Sequence, residues 1–407
     1  MARRVQAAEQ LPSVEFPSDQ EEVWRYTPIG DLDIETFAPT SDTSGKDSPI
    51  FDVVSERVGL VEVRNGWVTR EELDDSLRQQ GLFVGRLVDH PDAATLLGSV
   101  AGDSADYFSV LSDGFMGDAV LVDVPAGLVV EKPIVVGERV RGDGSAAFPR
   151  LFVRMGADSQ ASVVQHQSAG TGEVFAAPIT ELDVADAARL EFLSIQVLSA
   201  STTQIGTLVA RAGKDATVTV GAAGLGGGYS RLRVDCRLEG SGATGNLLAL
   251  YYGESEQTLD FRTLQDHAAP HTTSNLLFKG ALAGDARSVY TGMIRVRPEA
   301  NGTNAFQTNR NIKLSEHAWA ESVPNLEIET NDVRCSHAST VSPIDEEQLF
   351  YLESRGVPSE TAERLIVRGF FADVLGQLPV SDGHSIIDDV IAAKQDRHQA
   401  AVKVDDE

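Results

Sequence analysis

Cysteine is nearly absent from this chain: Cys236 and Cys335 are the only two in 407 residues. Two thiols cannot lay down a disulfide framework or close a four-thiolate metal site. The expectation is therefore a reducing, cytoplasmic setting in which a thiol stays free to meet a soft metal. Basic residues are also scarce. Against 61 Asp and Glu there are 34 Lys and Arg, a formal charge of −27, and no basic cluster that would release counterions from a nucleic acid. Neither nucleic acid nor an anionic membrane is expected as a partner. No run approaches the ~18 apolar residues of a membrane span, and no hydrophobic segment of an export signal follows the basic start Met1-Ala-Arg-Arg. Nucleotide and zinc-hydrolase motifs are missing too. Gly224-Leu-Gly-Gly-Gly is not followed by Gly-Lys-Ser/Thr and reads as a turn, so no ATP site is expected in this chain. His267 and His271 have the spacing of a helical metal pair, but Pro270 between them disfavours the helix; they read as structural residues at a turn.

With 42% apolar residues the chain can bury a large core, and its length suggests two or three structural units. The first, residues 1–116, reads as mixed or helical. Glu21-Glu-Val-Trp-Arg-Tyr-Thr-Pro commits a Trp and a Tyr to a short turn, which implies an anchored segment. Thr69-Arg-Glu-Glu has the form of a capping box and predicts a helix through Arg78, closed by Gly81. Short helices are predicted near Asp92–Leu97 and Ala105–Leu111. From Gly117 to residue 342 Val, Leu and Ile alternate with small and polar residues, the period of strands. A turn followed by a strand recurs at Gly156, Ala185, Gly213 and Gly240, roughly every 27 to 29 residues. That cadence suits a parallel β-helix whose coils share one core, with a β-sandwich as the competing architecture. Residues 343–407 turn helical. Asp345 is a plausible N-cap, Leu349, Phe350 and Leu352 form a stripe, and Gly356 fits a left-handed C′ position. A second helix from Ser359 carries Leu365, Ile366 and Phe370, and a third is expected from Ile386 to Ala393.

The chemistry-bearing residues are fewer. If Asp332 to His337 is extended, Cys335 and His337 leave one face roughly 7 Å apart, close enough to address a single soft metal or an iron–sulfur fragment. Two ligands do not close a coordination sphere. The pair is either ordinary structure or half of a site completed elsewhere. Cys236 shares a strand face with Val234 and Leu238 and reads as a small buried hydrophobe.

Several stretches carry a resemblance. Asn304-Ala-Phe-Gln-Thr-Asn-Arg-Asn-Ile-Lys-Leu, Pro324-Asn-Leu-Glu-Ile, Cys335-Ser-His-Ala-Ser-Thr-Val and Asp345-Glu-Glu-Gln-Leu-Phe-Tyr-Leu-Glu-Ser-Arg-Gly closely resemble the core of the SufB/SufD family of iron–sulfur cluster assembly scaffolds. Thr291-Gly-Met-Ile-Arg-Val, Asp266-His-Ala-Ala-Pro-His and the short Trp24-Arg-Tyr-Thr agree, so the resemblance covers most of the chain from Gly117 on. Cys-Ser-His, in place of Cys-Glu-His, looks like the SufD branch. Val323 stands where a Lys is expected before the Pro, and Ala338-Ser339 replaces Gly-Ala; neither change removes a proposed ligand.

What the resemblance implies is specific. The core would be a right-handed parallel β-helix in a mainly β chain. The protein would be a non-catalytic scaffold pairing with a SufB-type sister through the end of that β-helix, or with a second copy of itself. The ATPase SufC would dock on the C-terminal helices, for which Leu349, Phe350, Leu352, Leu365, Ile366 and Phe370 are the candidates. His337 would give an imidazole to iron at the interface, Cys335 would assist or pack beside it, and Cys236 is a lesser candidate for sulfur handling. The cargo would be iron or a transient iron–sulfur cluster shared with the partner. A reduced flavin is associated with such complexes, but no flavin site is recognisable in this sequence. Two alternatives stand beside this: the SufB-type sister, against which Ser336 argues, and an exported β-helix polysaccharide lyase or hydrolase, against which the lack of a signal sequence argues.

Overall fold

The computed structural model describes residues 2–102 and 106–405. From Ala119 onward the chain coils, each turn laying one strand on each of two long sheets. One sheet runs through Ala119–Val124, Arg150–Met155, Ile179–Val184, Thr202–Ala212, Tyr229–Leu238, Thr258–His267 and Arg287–Val296 to Trp319–Ile328. The other runs from Gly59–Arg64 through Ile134–Val140, Gln160–Ala169, Arg189–Val197, Thr217–Gly224, Thr244–Gly253, Thr273–Leu282 and Thr303–Lys313 to Val333–Pro343. Successive coils pair in parallel, and Thr258–His267 is in unbroken register with the strand on either side. This is the parallel β-helix expected from the cadence. The sandwich, built from antiparallel strands, is excluded.

Alternation explains the core. Val163, Phe192, Val220, Leu247 and Leu276 stand in one in-register column and are all buried inside the coil. Each such side chain contributes about 1.5–3 kcal/mol on burial. The turns stack as well. Asp158, Ala187, Asp215, Gly242, His271 and Gly302 all have positive φ, and the amide of each donates to a carbonyl of the next coil, as Asp215 does to Ser241 (2.9 Å) and His271 to Asn301 (2.8 Å). A left-handed residue other than glycine costs about 1–2 kcal/mol, which this ladder must offset. His271 is thus a turn residue.

The two ends of the coil differ. At the N-terminal end Trp67–Leu73 lies antiparallel to Gly59–Arg64, and Phe83–Arg86 antiparallel to Ala119–Val124, so the first coil is covered. At the C-terminal end Trp319–Ile328 and Val333–Pro343 each have a strand neighbour on one side alone among the described residues.

One local expectation is overturned here. Thr69 and Glu72 do not open a helix; both lie in the strand Trp67–Leu73. Asn65 and Gly66, both at positive φ, make the tight turn that folds this strand back on its neighbour. An Asn-Gly pair between two alternating strand segments is a strong hairpin signal, and it outweighs the capping pattern. The helix begins later, at Asp75, with Asp74 accepting from the amides of Ser76 and Leu77, and Gly81 follows its end. The helix predicted from Ala105 runs over Tyr107–Phe115 under an Asp106 cap; residue 105 itself lies outside the described residues.

The segments flanking the coil are tied to it. Trp24 is buried with the Arg231 guanidinium 3.8 Å above its ring, which anchors the N-terminal segment. Glu181, fully buried, accepts from the amides of Gly98, Val100 and Ala101 and pairs with Arg150 at 3.0 Å. The last helices span Glu346–Ser354, Ser359–Leu375 and His384–Asp405, the third longer than expected. Val367, Phe371, Val374 and Ile387 cover Leu248, Leu250 and Tyr252 on the outside of the second sheet. Lys394 is held by Glu254 and Gln257, both at 2.9 Å.

Candidate functional site

The final strand, Val333–Pro343, is extended, so Cys335 and His337 do share a face. Which face follows from register. Cys335 is opposite Ala305 and His337 opposite Gln307, and both of those neighbours point into the coil, where they are buried. Val333 and Cys335 pack against Ile294, Val296 and Ala305. His337 therefore stands on the inward face of a coil that no further coil covers among the described residues, and it is exposed. Across the opening the partly exposed Leu326 and Ile328 stand opposite buried Ile294 and Val296.

Burial pushes the Cys335 thiol above its ordinary range, with the Ala305 backbone opposing that shift. An imidazole and a partly buried thiol on one open edge can offer a soft metal two ligands. Among the described residues no three His, Cys, Asp or Glu side chains are grouped so as to hold a metal.

Cys236 is far from that edge in the fold. It stands in register with Ala210 and Gln265 in the middle of the first sheet, buried among Val234, Leu238 and Leu247. Its sulfur fills the space opposite Gly245, where a Cβ would come within 2.7 Å of it. Burial, with Asp235 and Asp266 nearby, pushes the thiol up to about 12, which keeps it protonated and unreactive at neutral pH. His267 is buried as well. Its Nδ1 meets Thr272 Oγ1 at 2.7 Å and its Nε2 meets Ser274 Oγ at 2.8 Å, leaving neither nitrogen for a metal.

The C-terminal candidates divide. Leu352, Leu365, Ile366 and Phe370 line a groove of about 860 Å3 between the first two helices, together with Ile344 and Tyr351. Phe350 is 72% exposed beside it, whereas Leu349 is half-buried and outside the groove lining. Not one residue of the Glu346–Ser354 helix is buried.

Sequence reasoning overlooked the layer beneath His337. At the inward positions of Thr303–Lys313, where the preceding coil carries Leu276, Phe278 and Gly280, stand Gln307, Asn309 and Asn311, all buried. The signal was present, since the apolar Phe306 just before them faces out.

The SUF system FeS cluster assembly, SufBD core domain model matches residues 138–370, more than half of the 407. The chain belongs to the SufBD family. It is 35% identical over 384 residues to an iron–sulfur cluster assembly SufBD family protein of Mycobacterium tuberculosis, spanning 91% of this chain and 87% of the relative. The SufD proteins of Bacillus subtilis and Escherichia coli are 25% and 26% identical, covering 93% and 91% of this chain and 90% and 87% of their own lengths. As a SufBD protein the chain takes part in iron–sulfur cluster assembly, and the family implies a Suf-system complex with partner subunits. No helix among the described residues is long and apolar enough to cross a membrane.

Proposed function

We propose that this chain is the SufD-type subunit of a cytoplasmic Suf complex, a scaffold without catalytic residues of its own, divided into an N-terminal unit (1–116), a β-helix core (117–342) and a C-terminal docking unit (343–407). The observation that carries this reading is the uncovered C-terminal end of the coil, with Cys335 and His337 on its inward face. Its two edge strands, 10 and 11 residues long, present rows of unpaired backbone groups. Such edges recruit another sheet. A SufB-type sister continuing both sheets would bring its own thiolate and carboxylate to face His337, and the half-site would close around iron or a nascent cluster. Cys335 supports that ring from the side. The nearness of the chain to named SufD proteins, and Ser336 between the cysteine and the histidine, favour SufD over the SufB type.

The exposed helix Glu346–Ser354 and the groove behind it suit the ATPase SufC. Hydrolysis there would move the C-terminal helices, which are tied to the coil through Lys279 and Lys394. A second copy of this chain can occupy the same edge when the sister is scarce. The test is anaerobic co-purification of the chain with both partners, comparing iron and acid-labile sulfide in the native and His337→Ala complexes. The reading requires an intact variant complex that has lost most of both; equal loading would remove His337 from the site.

A further inference from the structure

Directly opposite His337, one coil in from the open end, lies Gln307. It is 1% exposed, and neither its Nε2 nor its Oε1 has a hydrogen-bond partner among the described residues. An unpaired buried amide carries the full desolvation penalty of both its polar atoms. Leucine fills the same column in the two preceding coils, at Leu276 and Leu247, without that penalty. The two inward polar residues that follow Gln307 on its strand are hydrogen-bonded. Asn309 Nδ2 donates to Tyr251 Oη at 3.0 Å, Tyr251 donates to Asn311 Oδ1 at 2.7 Å, and Asn311 Nδ2 donates to Asn309 Oδ1 at 2.9 Å. Asn309 and Asn311 are thus paired, whereas both polar atoms of Gln307 are left over.

The opposite sheet makes room for this side chain. A Cβ on Gly292 would stand 2.2 Å from Gln307 Nε2, so the amide occupies space that any other residue at 292 would take. Gln307 and His337 are in-register neighbours on adjacent strands ~4.8 Å apart, so a side-chain rotation of the amide away from Gly292 would carry its oxygen to the imidazole ring. A histidine that binds a metal through one nitrogen ordinarily donates its other N–H to a carbonyl or carboxylate oxygen, and that bond fixes the tautomer and the ring plane.

We propose that Gln307 is a positioning residue for His337: its buried amide oxygen accepts the ring N–H and sets which nitrogen faces the iron at the open end. The inference rests on His337 being a ligand, as argued above. It does not make Gln307 a ligand. It explains why a polar side chain is held, unpaired and enclosed, at the one inward position of its strand in register with His337.

The test is anaerobic titration of the assembled complex with ferrous iron, using Gln307→Leu, Gln307→Glu, His337→Ala and the His337→Ala/Gln307→Leu double variant. Removing the acceptor with Leu is expected to weaken iron binding about 10–100-fold, the usual effect of losing such a partner. Gln307→Glu, which keeps an acceptor oxygen, should stay within a few-fold of the native complex. The double variant should bind no more weakly than His337→Ala alone, a result that a general packing defect would not give. Gln307→Met keeps the side-chain length without the acceptor and serves if the Leu variant does not fold. Native affinity in Gln307→Leu, or losses that add in the double variant, would overturn the inference while leaving His337 in place. Native affinity in His337→Ala would overturn the ligand reading and this inference with it.

Discussion

Cys335 stands in register with Ala305, and that single pairing decides which way the last strand faces. Because Ala305 is buried inside the coil, Cys335 and, two residues on, His337 are also turned inward. A register shift of one residue would send both to the outer face. The inward placement of this pair is thus a product of strand register over the whole coil, held by the stacked turns as far as Gly302, whose amide donates to the carbonyl of Asp332 at 2.7 Å just before the final strand.

The C-terminal helices should loosen without disturbing the coil. Lys279 donates to the carbonyl of Phe370 at 2.7 Å, pairs with Asp373 at 2.5 Å and lies 4.6 Å from the Phe370 ring centre. Lys279→Met keeps the apolar stem and removes the bonds. It should destabilise docking of the Ser359–Leu375 helix by about 1–3 kcal/mol. Hydrogen exchange would show faster exchange in that helix and unchanged protection in the strand Thr244–Gly253.

Exposed side chains separate binding from folding. Phe350 is 72% exposed and Leu365 49%. The variant Phe350→Ala/Leu365→Ala should therefore shift unfolding by less than about 0.5 kcal/mol per site. If these residues anchor the ATPase, its affinity should fall by about 30-fold or more, as expected for an aromatic anchor worth about 2 kcal/mol. Isothermal titration with the purified ATPase reads this; unchanged affinity would move the docking surface elsewhere.

Acid should weaken the coil through His267. Burial lowers its pKa from 6.5 to about 4, with Asp266 opposing the shift. The native imidazole stays neutral while the unfolded one takes up a proton below 6.5, so stability is fully present above that value and is lost as pH falls towards 4. Linkage gives a loss of about 2 kcal/mol between pH 7 and pH 5 for this one residue. His166, lowered to about 4 by burial and Arg139, acts with the same sign. Urea unfolding at the two pH values should show a smaller difference for His267→Gln than for the native chain.

Much of this fold was legible because its physics is local. Alternation gave the strands, the recurring turns gave the coil, and Asp345 and Gly356 marked the ends of a helix. The error at Thr69 came from reading a capping pattern without the Asn65-Gly66 turn four residues before it. Cys335 and His337 could be placed on one face because two-residue spacing means that in any strand. The openness of that face could not be read, since it depends on no strand among the described residues covering the last coil. The C-terminal groove is likewise assembled from Ile344, Tyr351 and Phe370 across two helices, and spacing along one helix does not reveal it. Gln307 was readable as a break in alternation, but its unpaired amide is a fact of three-dimensional packing.

The central claim is that His337 meets iron at the open end of the coil. Its most direct test is pulsed hyperfine spectroscopy of the reduced, cluster-loaded complex in which this chain alone carries 15N-labelled histidine. The account predicts a 15N coupling to the cluster that disappears in His337→Ala. A cluster that shows no such coupling, or one that keeps it in the variant, would contradict the account.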